Sequence, residues 1–192
     1  MNTQNTSREK ILNTATKLFQ INGFNATGLN EILEESKSPK GSLYYYFPEG
    51  KEQLALEAIQ LACKSIVERL RGTMDKYSDP VEALKYLISN ITDDLNDENK
   101  LQDISISLMA LETYSSNEKL RLACEQVFTE LSNVYAHKLI QSGFAPQKAE
   151  ELGMAIEIMI EGAITICVTR KDTVPLSAIS NILNVLLSQD SL

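Results

Sequence analysis

The sequence predicts an all-α protein, and three observations carry the prediction. Apolar residues recur at helical spacing wherever a period can be read, and no alternating apolar/polar run of useful length occurs. Most helical runs also have a capping residue, a glycine or a proline at one end. The expected architecture is a three-helix head, residues 1–50, followed by a helical body, residues 51–192, with about nine helices in all.

The first helix is expected to begin at Thr6, where Thr6-Ser7-Arg8-Glu9 fits a capping box, and to bury Ile11, Ala15, Leu18 and Phe19. Asn22-Gly23 should stop it, glycine supplying a left-handed C-cap. Thr27 is placed to cap a second helix that buries Leu29, Ile32 and Leu33. After the short break Glu35-Ser36-Lys37, Ser38 is read as the cap and Pro39 as the first residue of a third helix reaching Tyr46. Two short helices crossing at a tight turn form a helix-turn-helix, the arrangement that presents its second helix to the major groove of DNA.

A long helix is predicted from Lys51 to about Tyr77, with Leu54, Ala58, Leu61, Ile66 (or Ser65), Leu70 and Met74 facing inward. Ser78-Asp79-Pro80 marks a fresh start for a helix through Leu84, Leu87, Ile88 and Ile91, ending in a polar loop from Asp93 to Lys100. Leu101 to Tyr114 is apolar on most sides and reads as a helix through the middle of the body. Asn117 to Gln141 is the next, closed by Gly143. Pro146 starts a helix whose stretch Leu152 to Val168 is apolar except for the stripe Glu157, Glu161 and Thr165. Pro175 starts the last, with Leu176, Ile179, Ile182/Leu183 and Leu186/Leu187 on a broad apolar face. Two helices this apolar at the end of an already well-supplied core suggest burial against a second subunit, with Ile160, Ile164, Ile179, Leu183 and Leu186 as candidate contacts.

With 192 residues, 43% of them apolar, the chain can bury a substantial core. The net charge of −8 is unevenly spread: residues 1–51 hold six Lys/Arg against five Asp/Glu, and residues 52–192 hold twelve against twenty-one. An acidic body on a mildly basic head orients a molecule on DNA rather than preventing contact. No charged-then-apolar leader opens the sequence, and the most apolar run carries two glutamates, so neither a signal peptide nor a membrane span is expected and the cytoplasm is the default location.

Cys63, Cys124 and Cys167 lie far apart in periodic segments, which speaks for buried thiols rather than a disulfide or zinc framework. The one histidine, His137, has no nucleophile at a suggestive spacing, and no phosphate-binding glycine loop or His/Cys ligand set occurs. No catalytic residue, metal or cofactor is expected. A helical thiol-sensing or interaction protein is the alternative carried forward, to be tested by cysteine exposure.

One segment is distinctive. The run Lys40-Gly41-Ser42-Leu43-Tyr44-Tyr45-Tyr46-Phe47, followed by Lys51-Glu52-Gln53-Leu54 and a helical acidic body, resembles the TetR family of bacterial transcriptional repressors. The likeness is specific over residues 7–56, and the wording PKGSLYYYFPEGKEQL together with Glu161-Gly162-Ala163 is most similar to the LmrA/YxaF branch, whose members control drug-export or flavonoid-responsive genes. Pro48-Glu49-Gly50 places one residue more between Phe47 and Lys51 than most such heads carry.

The resemblance implies a homodimer that sets two recognition helices into successive major grooves of a near-palindromic double-stranded operator, roughly 34 to 36 Å apart. It implies that Thr27, Tyr44, Tyr45, Tyr46 and Lys51 touch the DNA backbone, and that Lys40, Ser42 and Tyr44 or Tyr45 face base edges. Ser38 and Gly41 complete that face, glycine leaving room for close approach. It further implies a small lipophilic inducer held in the body, with Cys63, Met109, Tyr114, Phe128, Tyr135, Met159 and Glu161 as candidate lining residues. A carboxylate on the Glu157/Glu161/Thr165 stripe would favour cationic or hydroxyl-rich ligands.

Overall fold

The structure, a computed structural model, describes residues 7–96 and 106–188. Among the described residues it contains nine helices and no strand: α1 Ser7–Ala26, α2 Leu29–Glu35, α3 Lys40–Tyr46, α4 Lys51–Met74, α5 Pro80–Asn96, α6 Ser107–Thr113, α7 Glu118–Gln141, α8 Pro146–Arg170 and α9 Val174–Leu186. They fall into two compact units. The first is Met1–Lys64 with Ser105–Val127, and the second is Ser65–Ile104 with Phe128–Leu192.

In the first unit Ile11, Ala15 and Phe19 of α1, Ile32 of α2, Leu43 and Phe47 at α3, and Leu54 and Ala55 of α4 are all fully buried. Their helical spacing makes one apolar stripe per helix, and the stripes share one small core. The capping residue Thr6 lies outside the described residues. Gly23 does interrupt α1, with φ 82° and ψ 172°, but a final turn continues to Ala26. That backbone is accessible to glycine almost alone.

The starts of α2 and α3 differ from expectation. Thr27 is not the cap of α2: it is fully buried, and its hydroxyl donates to Gly23 O at 2.8 Å with Leu18 O also in reach at 3.2 Å. Gly28 takes the N-cap position, its amide bonded by the Glu31 carboxylate at 3.3 Å. The helix ends in a Schellman turn, Lys37 N–H to Glu34 O and Ser38 N–H to Leu33 O, with Lys37 at φ 52° where glycine is usual. Ser38 is spent on this turn, its hydroxyl on Ser36 O at 3.3 Å, so it does not cap α3. Pro39 is the N-cap rather than the first helical residue, and its carbonyl receives Ser42 N–H at 2.9 Å.

The helix α4 is shorter than predicted, stopping at Met74. The region read as a helix from Leu101 to Tyr114 is corrected more deeply. Leu101–Ser105 lies outside the described residues, α6 has only seven residues, and it packs on α1 within the first unit rather than through the middle of the body. Ile106, Met109 and Thr113 face inward, while Leu108, Leu111 and Tyr114 are exposed.

In the second unit Asp79 caps α5 through Val81 N–H at 2.9 Å, and the helix carries on through Asp93 to Asn96, residues expected in a loop. The helix α9 packs on both α5 and α8. Close approach of α8 to α7 depends on Gly153, where a Cβ would fall 2.6 Å from Ser132 O and 2.9 Å from Ala136 N. By length and composition α8 could cross a bilayer, yet Ala149, Leu152, Ile156, Ile160, Ala163, Ile164 and Cys167 along it are buried within the second unit. One face of α8 is therefore a core stripe.

Candidate nucleic-acid interface and body cleft

The first unit offers α3 as its distinctive surface. Leu43 and Phe47 anchor the helix inward, which by the 3.6-residue period turns Tyr44 and Tyr45 outward; they are 49% and 78% exposed. Tyr46 is half-buried and stacks edge-on to Tyr45, ring centres 4.9 Å apart, so one ring holds the orientation of the other. Lys40 and Gly41 are exposed, Ser42 is half-buried, and the space beside Gly41 is open. Lys40, Gly41, Ser42, Tyr44, Tyr45 and Tyr46 therefore come together on one accessible helix. The side chains of Thr27 and Ser38 are buried and bonded to carbonyls, so neither hydroxyl reaches outward.

Lys51 occupies an unexpected position. Its ammonium lies 4.5 Å above the Phe24 ring and donates to Asn25 O at 3.4 Å, and desolvation lowers its pKa although the Glu112 charge works the other way. Glu112 of α6 accepts from Asn25 N–H at 3.0 Å. Lysine, phenylalanine ring and carboxylate together hold the end of α1.

In the second unit a cleft is lined by Ile66, Arg69 and Leu70 of α4, Leu87 and Ile91 of α5, Leu131 and Tyr135 of α7, and Glu157, Ile160, Glu161 and Ile164 of α8. Its free room is about 30 Å³. That admits a water-sized group but not a drug-sized molecule, which needs roughly 300 Å³ or more. Glu157 is 5% exposed, and its Oε1 has no hydrogen-bond partner. Burial, then the nearby Glu161 charge, pushes its pKa up to about 8, and burial followed by the same two carboxylates pushes the Tyr135 phenol well above its ordinary value. Arg69 is held by Asp94 at 3.1 Å.

Of the candidate lining residues, Tyr135 and Glu161 border this cleft. Phe128 and Met159 are half-buried elsewhere in the second unit, while Cys63, Met109 and Tyr114 belong to the first. The seven do not form one site. Arg69 and Glu157 are the polar lining residues missing from that set; Glu157 was legible as the other carboxylate on the stripe of α8, whereas nothing local to Arg69 distinguishes it from a surface cation.

Four of the five candidate subunit contacts are also corrected. Ile160, Ile164, Ile179 and Leu183 are 4%, 5%, 8% and 1% exposed within a single chain, since α8 and α9 turn these residues toward the core, and Leu186 is half-buried. Among the exposed apolar residues are Met154, Ile158 and Ile166 along α8 and Ile182 and Val185 on α9, each 49% exposed or more. On α8 they stand at i, i+4 and i+12, with Gly162 at i+8 filling the gap in the same stripe.

All three cysteines are buried and outside any disulfide, and burial raises the Cys124 thiol to about 11, the opposite of what a reactive thiolate needs. No group of metal-ligating side chains occurs among the described residues.

Residues 11–58 match the family described as "Bacterial regulatory proteins, tetR family", and residues 80–182 match "Transcriptional regulator LmrA/YxaF-like, C-terminal domain". The chain is 43% identical over 187 residues to the HTH-type transcriptional regulator YxaF of Bacillus subtilis, covering 97% of this chain and 98% of that one. It is 39% identical over 183 residues to the HTH-type transcriptional regulator LmrA of the same organism, covering 95% and 97%. Among solved structures, a TetR transcriptional regulator from Legionella pneumophila superposes with a TM-score of 0.82 at 23% identity, over 98% of this chain and all of that one.

Proposed function

The chain belongs to the TetR family of bacterial transcriptional regulators, with an LmrA/YxaF-like C-terminal domain, and from that premise we propose a dimeric operator-binding repressor released by a small lipophilic molecule. It is a regulator of transcription and not an enzyme. Residues 1–50 act as the DNA-binding domain and residues 51–192 as the ligand-binding and dimerisation domain. Control of an efflux or detoxification gene completes the reading and follows from the resemblance to the LmrA/YxaF branch.

The observation that carries the DNA-binding part is Tyr45, 78% exposed on a short helix fixed from beneath by two fully buried side chains. A rigid amphipathic ring held at a surface can lay its edge on a thymine methyl while its hydroxyl reaches a phosphate. Lys40, Ser42, Tyr44 and Tyr46 share the face. Dimerisation is supported by the exposed stripe of α8 and α9, apolar residues that a lone chain leaves in water. Entry of the ligand widens the cleft and shifts α4, whose Ile66, Arg69 and Leu70 form one wall and whose first residues lie beside the DNA-binding head. A coupling of about 1 to 3 kcal/mol would weaken operator affinity roughly 5- to 150-fold.

The test is selection of bound fragments from the source genome, followed by sedimentation and binding measurements on Ile158→Asp. The expected result is a near-palindromic fragment bound by a dimer, and a variant that stays folded, sediments as a monomer and loses operator affinity by at least tenfold. A monomeric variant that binds the full operator as tightly as the wild type would refute the dimeric reading, and failure to select any sequence would refute the repressor.

A further inference from the structure

We propose that the cleft around Glu157 is a seat for the ammonium head of a small lipophilic monocation, which displaces a proton as it binds. The inference deepens the inducer reading above, and depends on it only for what happens at the operator.

The unexplained feature is a carboxylate placed where a carboxylate is costly. Glu157 is 5% exposed, with Oε1 unpartnered, in a cleft walled by aliphatic side chains of α4, α5, α7 and α8. A buried ionised group costs several kcal/mol unless it is paired or neutralised. The charged or titratable groups that face it are Arg69 from α4, Tyr135 from α7 and Glu161 from its own helix. On the α5 side the lining is Leu87 and Ile91, and the acid one turn further, Asp94, engages the Arg69 guanidinium. Two carboxylates and a phenol thus face one guanidinium already bonded to a third carboxylate. The complementary species carries positive charge and N–H donors.

The walls and the dimensions narrow the class. About 30 Å³ is the size of an ammonium group, not of a ring system. Aliphatic walls cannot replace the hydration shell of a divalent ion, whereas they suit a hydrocarbon tail that parts Leu70, Leu87, Ile91 and Leu131. An alcohol or phenol would give Oε1 a hydrogen bond to the protonated carboxyl but, carrying no charge, would gain nothing from ionising Glu157.

With its carboxyl held up to about 8, Glu157 is protonated in the empty cleft at neutral pH. An adjacent cation favours the ionised form. The exchange is balanced: R–NH3+ enters, the Glu157 O–H bond breaks, one proton leaves to solvent and an ion pair remains. Below about pH 8 affinity therefore rises with pH, by at most about tenfold per unit, and above it the affinity levels off.

The experiment is calorimetric titration of the full-length protein with 4-phenylbutylammonium and its neutral counterpart 4-phenylbutanol, from about pH 6 to about pH 9, in two buffers of different ionisation enthalpy. We expect the amine to bind at least tenfold more tightly than the alcohol near pH 8, with buffer-dependent heats that report proton release. Glu157→Gln should remove both the preference and the pH dependence. Should that variant not fold, the wild-type pH profile and buffer heats decide alone. Equal binding of amine and alcohol, an amine affinity independent of pH, or no binding of either overturns the proposal.

Fluorescence anisotropy of the genome-selected operator duplex separates this from the inducer reading. Binding of the amine without operator release leaves the cation seat standing and sinks induction through it. Release by the alcohol and not by the amine keeps induction and sinks the cation.

Discussion

Two residues test the head most sharply. Gly23 holds φ 82° and ψ 172°, and a Cβ there would meet the Glu112 carboxylate at 2.5 Å. The carboxylate is the far end of a flexible side chain and can move, so the backbone carries most of the penalty. Gly23→Ala is expected to lower unfolding free energy by about 1 to 3 kcal/mol in urea denaturation. An unchanged midpoint would mean that the end of α1 relaxes without loss. Tyr45 behaves oppositely, because so exposed a ring contributes little to the fold. Tyr45→Ala should leave thermal stability unchanged and weaken operator binding about tenfold, or 1.4 kcal/mol, in an anisotropy titration. A variant that binds as the wild type does removes the ring from the interface.

The elements differ in how plainly the sequence announced them. Long periodic helices with proline or glycine punctuation, such as α5 from Pro80 and α8 from Pro146, were legible because period and boundary agree. The small caps were not. Ser38 has the chemistry of an N-cap, but the left-handed Lys37 draws it into a Schellman turn, a tertiary outcome that a lysine does not signal. Likewise Leu101 to Tyr114 is apolar on most sides, and no local pattern told a core helix from a short one packed on α1. In α8 the period locates apolar residues without saying which side meets its own chain, so it does not separate the inward Ile160 and Ile164 from the outward Met154 and Ile158.

Gly153 makes the packing of α8 testable as an element. A Cβ at that position collides with backbone, Ser132 O and Ala136 N, which cannot rotate away as a side chain could. Gly153→Val should push α8 from α7 and cost about 1 to 3 kcal/mol or more, read as a lower urea midpoint. A variant as stable as the wild type would mean that the two helices are not tightly apposed. The same small residue brings α8, with Glu157 one turn further on, close to Tyr135.

For the molecule as a whole, Glu157 ties stability to pH. Its folded pKa of about 8 lies above the 4.5 of an unperturbed carboxyl, so between those values the folded chain binds more protons than the unfolded one. Stability from this residue is complete below about pH 4.5 and is lost as pH rises toward and through about 8. The wild type minus Glu157→Gln difference in unfolding free energy should therefore decline across that window when followed by urea titration. A difference that is flat from pH 5 to pH 8 would place the Glu157 pKa near its ordinary value.

Lys51 bears on how the regulator responds to ionic strength. A Lys51 that keeps its seat on the Phe24 ring and the Asn25 carbonyl when the head lands would neutralise no phosphate and so release no condensed counterion. In the proposed dimer that removes about two ions from the exchange relative to an arrangement with both lysines on phosphate, since each neutralised phosphate releases about 0.9. Operator affinity in that dimer would then fall less steeply with salt than if both lysines sat on phosphate.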